Sequence, residues 1–321
     1  MAVEDGRPEA GVDYPRTYAD LLEWFADDAA CLEYLGRLRW PEGFRCPACG
    51  AGEYWRTGTG LWMCVACGRR TSVTAGTVLH RTRTPLTTWF AAVWFVTSTK
   101  TGVSAQGLQR VLGFGSYETA WAWLHKLRRA MVRPDRDLLG GPGVLVELDE
   151  TFLDGVTRGG VDLWKAKVPV MLAVEKRGRK LGRIRARVTA RPGSLAILDF
   201  AAEVIAPGTT VRTDGAPLLR RLADLGYAHQ PTVAIRATDP ATVLPGLHTV
   251  ASLLKRWLIA TLHYGIAAEH LPYYLDEFTF RFNRRDSRSR GLLFYRLLQQ
   301  AIATDPHPLD TLIGGTQNTN P

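Results

Sequence analysis

Acidic residues are in short supply. The 321-residue chain carries 31 Asp and Glu against 40 Lys and Arg, a formal net charge of +9 at pH 7. An excess of that size disfavours a basic partner and favours a polyanion, since neutralising phosphates is the sequence-independent part of nucleic-acid affinity. Long apolar runs are missing as well. The longest uncharged stretch, Thr84 to Thr99, has 16 residues bracketed by Arg83 and Lys100. That is short of the roughly 20 needed to span a membrane, and it is expected to be a buried helix. The opening MAVEDGRPEAG holds no apolar core of a secretory leader, so the chain is expected in the cytoplasm with no membrane partner. Cysteine is rare, five residues in all, which excludes a disulfide-built scaffold. With 46% hydrophobic residues there is still ample material for cores, and the length suggests two domains with a small appendage.

Four of the five cysteines are concentrated in RCPACGAGEYWRTGTGLWMCVACGRRT, as Cys46-x2-Cys49, fourteen residues, then Cys64-x2-Cys67. Each Cys-x2-Cys turn brings two thiolates to one metal ion, and Gly50 and Gly68 let the backbone turn beneath the sulfurs. Two matched knuckles complete a tetrahedral Zn²⁺ site; disulfides or free core thiols would not need the match. Candidate strands at Tyr54 to Gly58 and Leu61 to Val65 make this a zinc ribbon. With all four positions taken by protein, zinc would contribute folding free energy and no catalysis. Such a ribbon suits contacts to nucleic acid or to protein, and by itself does not choose. Cys31, in the apolar pattern LLEWFADDAACLEYLGRL, is expected in a core.

A helical region follows. PLTTWFAAVWFVTSTKTG reads as one apolar helix, Ser104 to Leu112 as a second, GFGS as a break, and Tyr117 to Val132 as a third. On the last, Tyr117, Ala120, Leu124, Leu127 and Met131 form a core stripe, while His125, Lys126, Arg128 and Arg129 point elsewhere. Helix, turn and basic helix are the parts of a helix-turn-helix reader, with Lys126 and Arg129 as DNA-binding candidates; a plain hairpin with a solvated basic face has the same pattern.

RPDRDLLGGPG, with two prolines and three glycines in eleven residues, marks a boundary. VLVELDETFLDG, VPVMLAVEKRGRK and GRIRARVTARP then read as three strands, GSLAILDFAAEVIAPG as a helix, TTVRTDGAP as a fourth strand and PLLRRLADLG as a further helix. That order is the order of a ribonuclease H-like α/β domain, a mixed sheet with flanking helices whose first and fourth strands are neighbours. Asp149 and Asp214, near the C-terminal ends of those two strands, would then converge, and a divalent cation is the natural remedy for their repulsion. Asp214 before Gly215 is also ordinary turn chemistry. Glu150 adjoins Asp149 but faces the other side of the strand, and periodicity does not choose between the two acids.

The succession of RCPACG, a helical region, ELDET, TDG, SLLKRWL and HLPYYLDEFTFRFNRR resembles the zinc-ribbon transposases of bacterial insertion sequences, the ISXO-type branch of the DDE superfamily. The likeness runs from about Trp40 to Arg285, and YLDEFTFRFNRR is its most specific part. It implies a ribonuclease H-like core that cuts and rejoins DNA with two Mg²⁺ or Mn²⁺ ions. Asp149 matches the family's first catalytic aspartate and Asp214 its second. The third position, on a helix just before Ser252 to Arg256, falls on His248, 34 residues after Asp214, and no Asp or Glu lies between Ala241 and Ala268. Imidazole suits Mn²⁺ better than Mg²⁺. Glu277 is the rival third acid, but its spacing of 63 from Asp214 is long and it adjoins the aromatic face of Tyr274, Phe278 and Phe282; a structural role behind the ligands suits it better.

Basic segments would carry the substrate. Lys176 to Arg191 holds eight Lys or Arg and no acid, and alternation puts Arg183, Arg185 and Arg187 on one strand face as a phosphate track. Lys255, Arg256, Arg284 and Arg285 are further DNA-binding candidates. The resulting expectation is a multidomain protein: a helical segment over 1–40, the ribbon over 41–80, a helix-turn-helix-like region over 81–137, a ribonuclease H-like domain over 144–300 and a tail over 301–321. Its partners would be double-stranded DNA, both the inverted repeats at the element's ends and target DNA, placing it at the nucleoid; pairing two ends implies a homodimer or larger. The competing functions are a catalytically inactive or repurposed DNA-binding relative and a nuclease without strand transfer.

Overall fold

The computed structural model describes residues 7–133, 136–153, 156–157, 167–232, 243–262, 266–308 and 312. The chain divides into two compact units, Met1–Arg133 with Ser287–Pro321, and Pro134–Asp286.

The first unit begins with helices α1 (Tyr18–Trp24) and α2 (Asp28–Arg39). Thr17 and Asp20 cap each other's ends in a capping box, and Asp27 caps α2. The ribbon follows as an antiparallel sheet of β1 (Tyr54–Arg56), β2 (Trp62–Cys64) and β3 (Arg70–Thr71). Helices α3 (Leu86–Ser98), α4 (Ala105–Leu112) and α5 (Tyr117–Arg129) come next; Ser104 caps α4, Gly113 ends it and Ser116 caps α5. Trp89 of α3 stacks flat on Trp123 of α5 at 3.4 Å. The C-terminal helix, Arg290–Ala303, returns to this unit, where Phe294 meets Phe25, Phe90 and Trp94 at 5.7 to 6.0 Å. Residues 287–300, expected within the domain over 144–300, therefore belong to the first unit and its core. Of the tail from 301, residues 309–311 and 313–321 lie outside the described residues.

The third helix carries a second correction. Ala120, Leu124, Leu127 and Met131 are buried as the stripe requires, but Tyr117 is 55% exposed, whereas His125 and Arg128 are buried. Lys126 and Arg129 are half-buried, and burial lowers the Lys126 pKa. His307 lies close enough for both charges to depress its own pKa, after burial. What α5 exposes is its first turn, Tyr117 to Thr119.

The second unit is a five-stranded mixed sheet. In chain order come β4 (Leu145–Leu153), the short β5 (Val156–Thr157), β6 (Val168–Arg177), β7 (Lys180–Val188), α6 (Ser194–Val204), β8 (Thr210–Thr213), β9 (Ala228–Pro231), α7 (Pro245–Leu262), β10 (Ile266–Ala267) and α8 (Leu271–Asn283). The sheet order is β7-β6-β4-β8-β9, with β5 and β10 paired apart from it. Neighbours β7, β6 and β4 run antiparallel, while β4, β8 and β9 are parallel. Pro217–Leu222, expected as an α-helix, is a 3-10 helix.

Helices cover both faces of the sheet. Ile197, Phe200, Ala201 and Val204 of α6 pack with Val146, Leu148, Met171, Ala173 and Val211. Opposite, Leu247, Val250, Leu254 and Leu258 of α7 and Tyr274, Phe278 and Phe282 of α8 pack with Val170, Leu172, Val174 and Ile184. Burial on both faces is why β6 reads as a continuous apolar run, and each such Leu or Val adds about 1.5–3 kcal/mol. At the sheet edge, Asn283 accepts from the Ile184 N–H at 2.7 Å and donates to the Ile184 carbonyl at 3.1 Å, closing the open backbone of β7. No helix among the described residues is long and apolar enough to cross a membrane.

Candidate functional site

In the ribbon the two knuckles repeat one geometry. The N–H of Gly50 donates to the carbonyl of Cys46 and that of Gly68 to Cys64, each at 2.9 Å, with φ of 74° and 69°. No atom would meet a Cβ at either glycine, so the demand is for the left-handed backbone alone. Sulfur ligands of Cys46, Cys49, Cys64 and Cys67 lie within 4.8 Å of one another, and the Cys46–Cys67 and Cys49–Cys64 separations are 3.6 Å. A tetrahedron with zinc–sulfur bonds of about 2.3 Å has edges of about 3.8 Å, so the donors fit. Within this cluster of thiols the Ala48 N–H lowers the Cys46 pKa, while at Cys49 the Ala51 N–H lowers the pKa but is outweighed by the neighbouring Cys67 and Cys64 thiols, which raise it. Behind the metal positions the ribbon has a small core of Phe44, Cys46, Trp62 and Cys64, with Trp40 against it. Cys31, fully buried elsewhere in the unit, is pushed up to about 12 by burial and stays an inert thiol.

The acids of β4 separate by role. Glu150 faces α6, where it accepts from the N–H of Gly193, the cap of that helix, at 2.9 Å. Glu147 faces α7 and accepts from the Leu247 N–H, in that helix's first turn, at 2.8 Å. Each carboxylate thus sits at the positive end of a helix. Asp149 has no such duty: among the described residues its side chain receives only the Glu150 N–H, at 2.7 Å. Burial pushes the Asp149 carboxyl up to about 6, the Glu150 N–H opposes the rise, and the charges of Asp214 and Glu150 add to it. Asp214 lies at the end of β8, parallel to β4, exposed and accepting from the Ala216 N–H at 3.1 Å. It therefore has both the electrostatic partnership and the turn role that its sequence suggested.

His248 lies in the first turn of α7, exposed, its N–H bonded to the Leu244 carbonyl. Among the described residues the ligand atoms of Asp149, Asp214 and His248 do not gather within 4.8 Å as the four thiolates do. Glu277, the rival, is 2% exposed and paired to Arg281 at 2.8 Å, a buried ion pair inside α8.

Asp149 offers a test of this electrostatic picture. A carboxyl whose folded pKa lies above its unfolded value destabilises the fold once ionised; the cost is absent below about pH 4 and complete above about pH 6. The shift corresponds to about 3 kcal/mol, reduced to about 1–2 kcal/mol for a group that solvent still reaches. Asp149→Asn should therefore raise the melting temperature of zinc-loaded protein, without added Mg²⁺ or Mn²⁺, by a few degrees at pH 7.5, and the gain should fade between pH 6 and 4. Differential scanning calorimetry would detect it, and a lower melting temperature would mean that Asp149 is a paired structural residue.

The expected phosphate track is not free. Arg183 pairs with buried Glu175 at 2.6 Å and donates to the Leu138 carbonyl. Arg185 is 5% exposed, donates to the Asp137 carbonyl, and is pulled down to about 10 by burial and by Arg136 and Arg183. Arg187 pairs with Glu203 of α6 and lies over the Phe200 ring. These side chains fasten α6 and the segment before β4 to the sheet. Glu175, not anticipated from sequence, anchors the group by accepting from the Gly140 and Arg183 N–H groups; although burial pushes its pKa up, these bonds hold it low overall. Arg285 donates to the Leu181 and Gly182 carbonyls and Arg284 stacks on Phe280. Lys255 and Arg256 differ: both are exposed on α7, on the side that carries His248 and Ser252.

Residues 138–283 match the ISXO2-like transposase domain, and residues 26–70 match the transposase zinc-ribbon domain. The chain belongs to the zinc-ribbon, ISXO2-like transposases. A relative in Halobacterium salinarum, described as an uncharacterized protein in transposable element ISH50, is 26% identical over 286 residues, covering 81% of this chain and 92% of the relative. The family's transposase domain takes in Asp149, Asp214, His248, Lys255, Arg256 and Glu277, whereas Lys126 and Arg129 lie between the two matched segments. The family's ribbon segment begins between α1 and α2 and takes in α2, in keeping with Trp62, whose ring lies against Gly36 of α2.

Proposed function

We propose that the protein binds the ends of its own insertion sequence, cleaves a strand there and joins the cleaved end to target DNA, using a ribonuclease H-like domain. The observation that carries this reading is Asp149: a partly buried carboxylate on the central strand, without a helix to anchor, facing a second carboxylate across parallel strands. The sheet order, with the first strand between the second and fourth, supports the ribonuclease H-like assignment.

Asp149 and Asp214 would hold divalent cations, with His248 as the third residue. When bound, such ions activate an attacking oxygen and stabilise a leaving one. The chain's own contribution is to concentrate negative charge at one point and to present the phosphate backbone to it. Lys255 and Arg256 stand seven and eight residues after His248, about 10–12 Å along the helix, within reach of phosphates flanking the one attacked. Helices α4 and α5 suit a helix-turn-helix, with the exposed first turn of α5 as the groove-facing part.

Replacing both Lys255 and Arg256 by Ala should lower the slope of log affinity against log salt by about 2, without changing preference among end sequences. An unaltered slope would take α7 out of the DNA path. The reading as a whole is tested by incubating a duplex copied from the DNA flanking the gene with the protein in Mn²⁺ or Mg²⁺. A nick at the element boundary is expected; binding without cleavage in either metal would mark an inactive DNA-binding relative.

A further inference from the structure

We infer that Glu147 is a positioning residue that sets His248 against Asp149, an inference that rests on the proposed role of His248. Glu147 is fully buried, and it sits two residues before Asp149 on the same face of β4. Its Oε2 takes the Leu247 N–H at 2.8 Å, a bond between residues 100 apart in sequence, and His248 is the next residue. The first turn of α7 is therefore tied to the strand that carries Asp149 by one carboxylate.

The approach of helix to strand is close. A Cβ on Gly246 would lie 2.9 Å from Glu147 Oε2, 2.8 Å from Lys176 Cδ and 2.9 Å from Leu181 Cδ2, so a larger residue there would have to push the Glu147 carboxylate and two neighbouring side-chain ends aside. Among the described residues, no donor reaches Glu147 Oε1, although that atom is buried. Burying a carboxylate with half its bonding capacity unused is costly, and an apolar residue would pack there at lower cost. Stability alone does not account for an acid at this position. Placement of the helix end does: the bond together with the charge at the helix N-terminus defines where α7 starts, and hence where the His248 ring is presented.

The prediction is that Glu147 affects cation binding through His248. Free Mn²⁺ would be titrated against zinc-loaded, full-length protein by electron paramagnetic resonance. Glu147→Ala should weaken Mn²⁺ binding about 10-fold, the scale on which residues supporting metal ligands act, and His248→Ala should weaken it at least as much. In the double variant the loss from Glu147→Ala should shrink to less than about 2-fold, because the residue it positions is gone. Glu147→Gln, which keeps the accepting oxygen, should bind Mn²⁺ nearly as wild type does. Gly246→Ala, which displaces the same turn from the helix side, should reproduce Glu147→Ala even if that variant folds poorly. Equal losses from Glu147→Ala in both backgrounds, or wild-type affinity in Gly246→Ala, would overturn the inference while leaving His248 in place. Wild-type affinity in His248→Ala would remove His248 from the site, and the inference with it.

Discussion

Asp149→Asn and Asp214→Asn should each abolish strand cleavage, by a factor on the order of 10³ or more, while leaving affinity for end-bearing DNA within about 2-fold. The substitutions remove the charge that would hold cations but almost no volume, and both side chains keep an oxygen for the N–H bonds they accept, from Glu150 and Ala216. Loss of binding alongside cleavage would mean that the acids serve the fold. The third position sharpens the result. His248→Ala should cost about as much as either Asn variant, and His248→Glu should move the metal preference from Mn²⁺ toward Mg²⁺, as a hard oxygen ligand replaces a nitrogen. An enzyme inactive with either metal but rescued by His248→Glu would show a copy decayed at that one residue. Full activity in His248→Ala with loss in Glu277→Gln would transfer the role to Glu277, against its burial and its pairing with Arg281.

The second large effect is expected in the ribbon. Cys64→Ser should drop bound zinc from one equivalent to almost none and unfold the segment around residues 44–71, because its four-residue core of Phe44, Cys46, Trp62 and Cys64 is too small to hold without the metal. The unit Pro134–Asp286 has its own two-sided core and should keep its melting transition. Zinc assay and limited proteolysis would read both parts at once. Retained zinc, or a protease-resistant ribbon in the variant, would contradict the tetrahedral site.

These two regions differ in how far sequence alone described them. The knuckles were readable because their constraint is local: ligand spacing, and a glycine after each pair. The adjacency of the two strands that lead to Asp149 and Asp214 was readable because strand order implies which strands adjoin. Failures arose where the answer depended on what covers a face. Alternation correctly put Arg183, Arg185 and Arg187 together, but only tertiary structure shows α6, Glu175 and the segment before β4 lying over them. On α5, the stripe described a helix packed on one side, whereas His125 and Arg128 are buried on another. The C-terminal helix joins the first unit through Phe294, a pairing across more than two hundred residues that no local pattern encodes. Glu147 was visible as an acid in an apolar strand on the face of Asp149, yet its partner, Leu247, could not be named without the fold.

Strand joining separates a transposase from a nuclease most directly. A labelled duplex carrying an already cleaved element end would be incubated with the protein, Mn²⁺ and supercoiled plasmid, and covalent end-to-plasmid product would be scored on a denaturing gel. Joined product is expected with wild-type protein and not with Asp149→Asn. Efficient nicking of the intact end with no joined product, in Mn²⁺ and in Mg²⁺, would contradict the proposed reaction and leave a metal-dependent nuclease in its place.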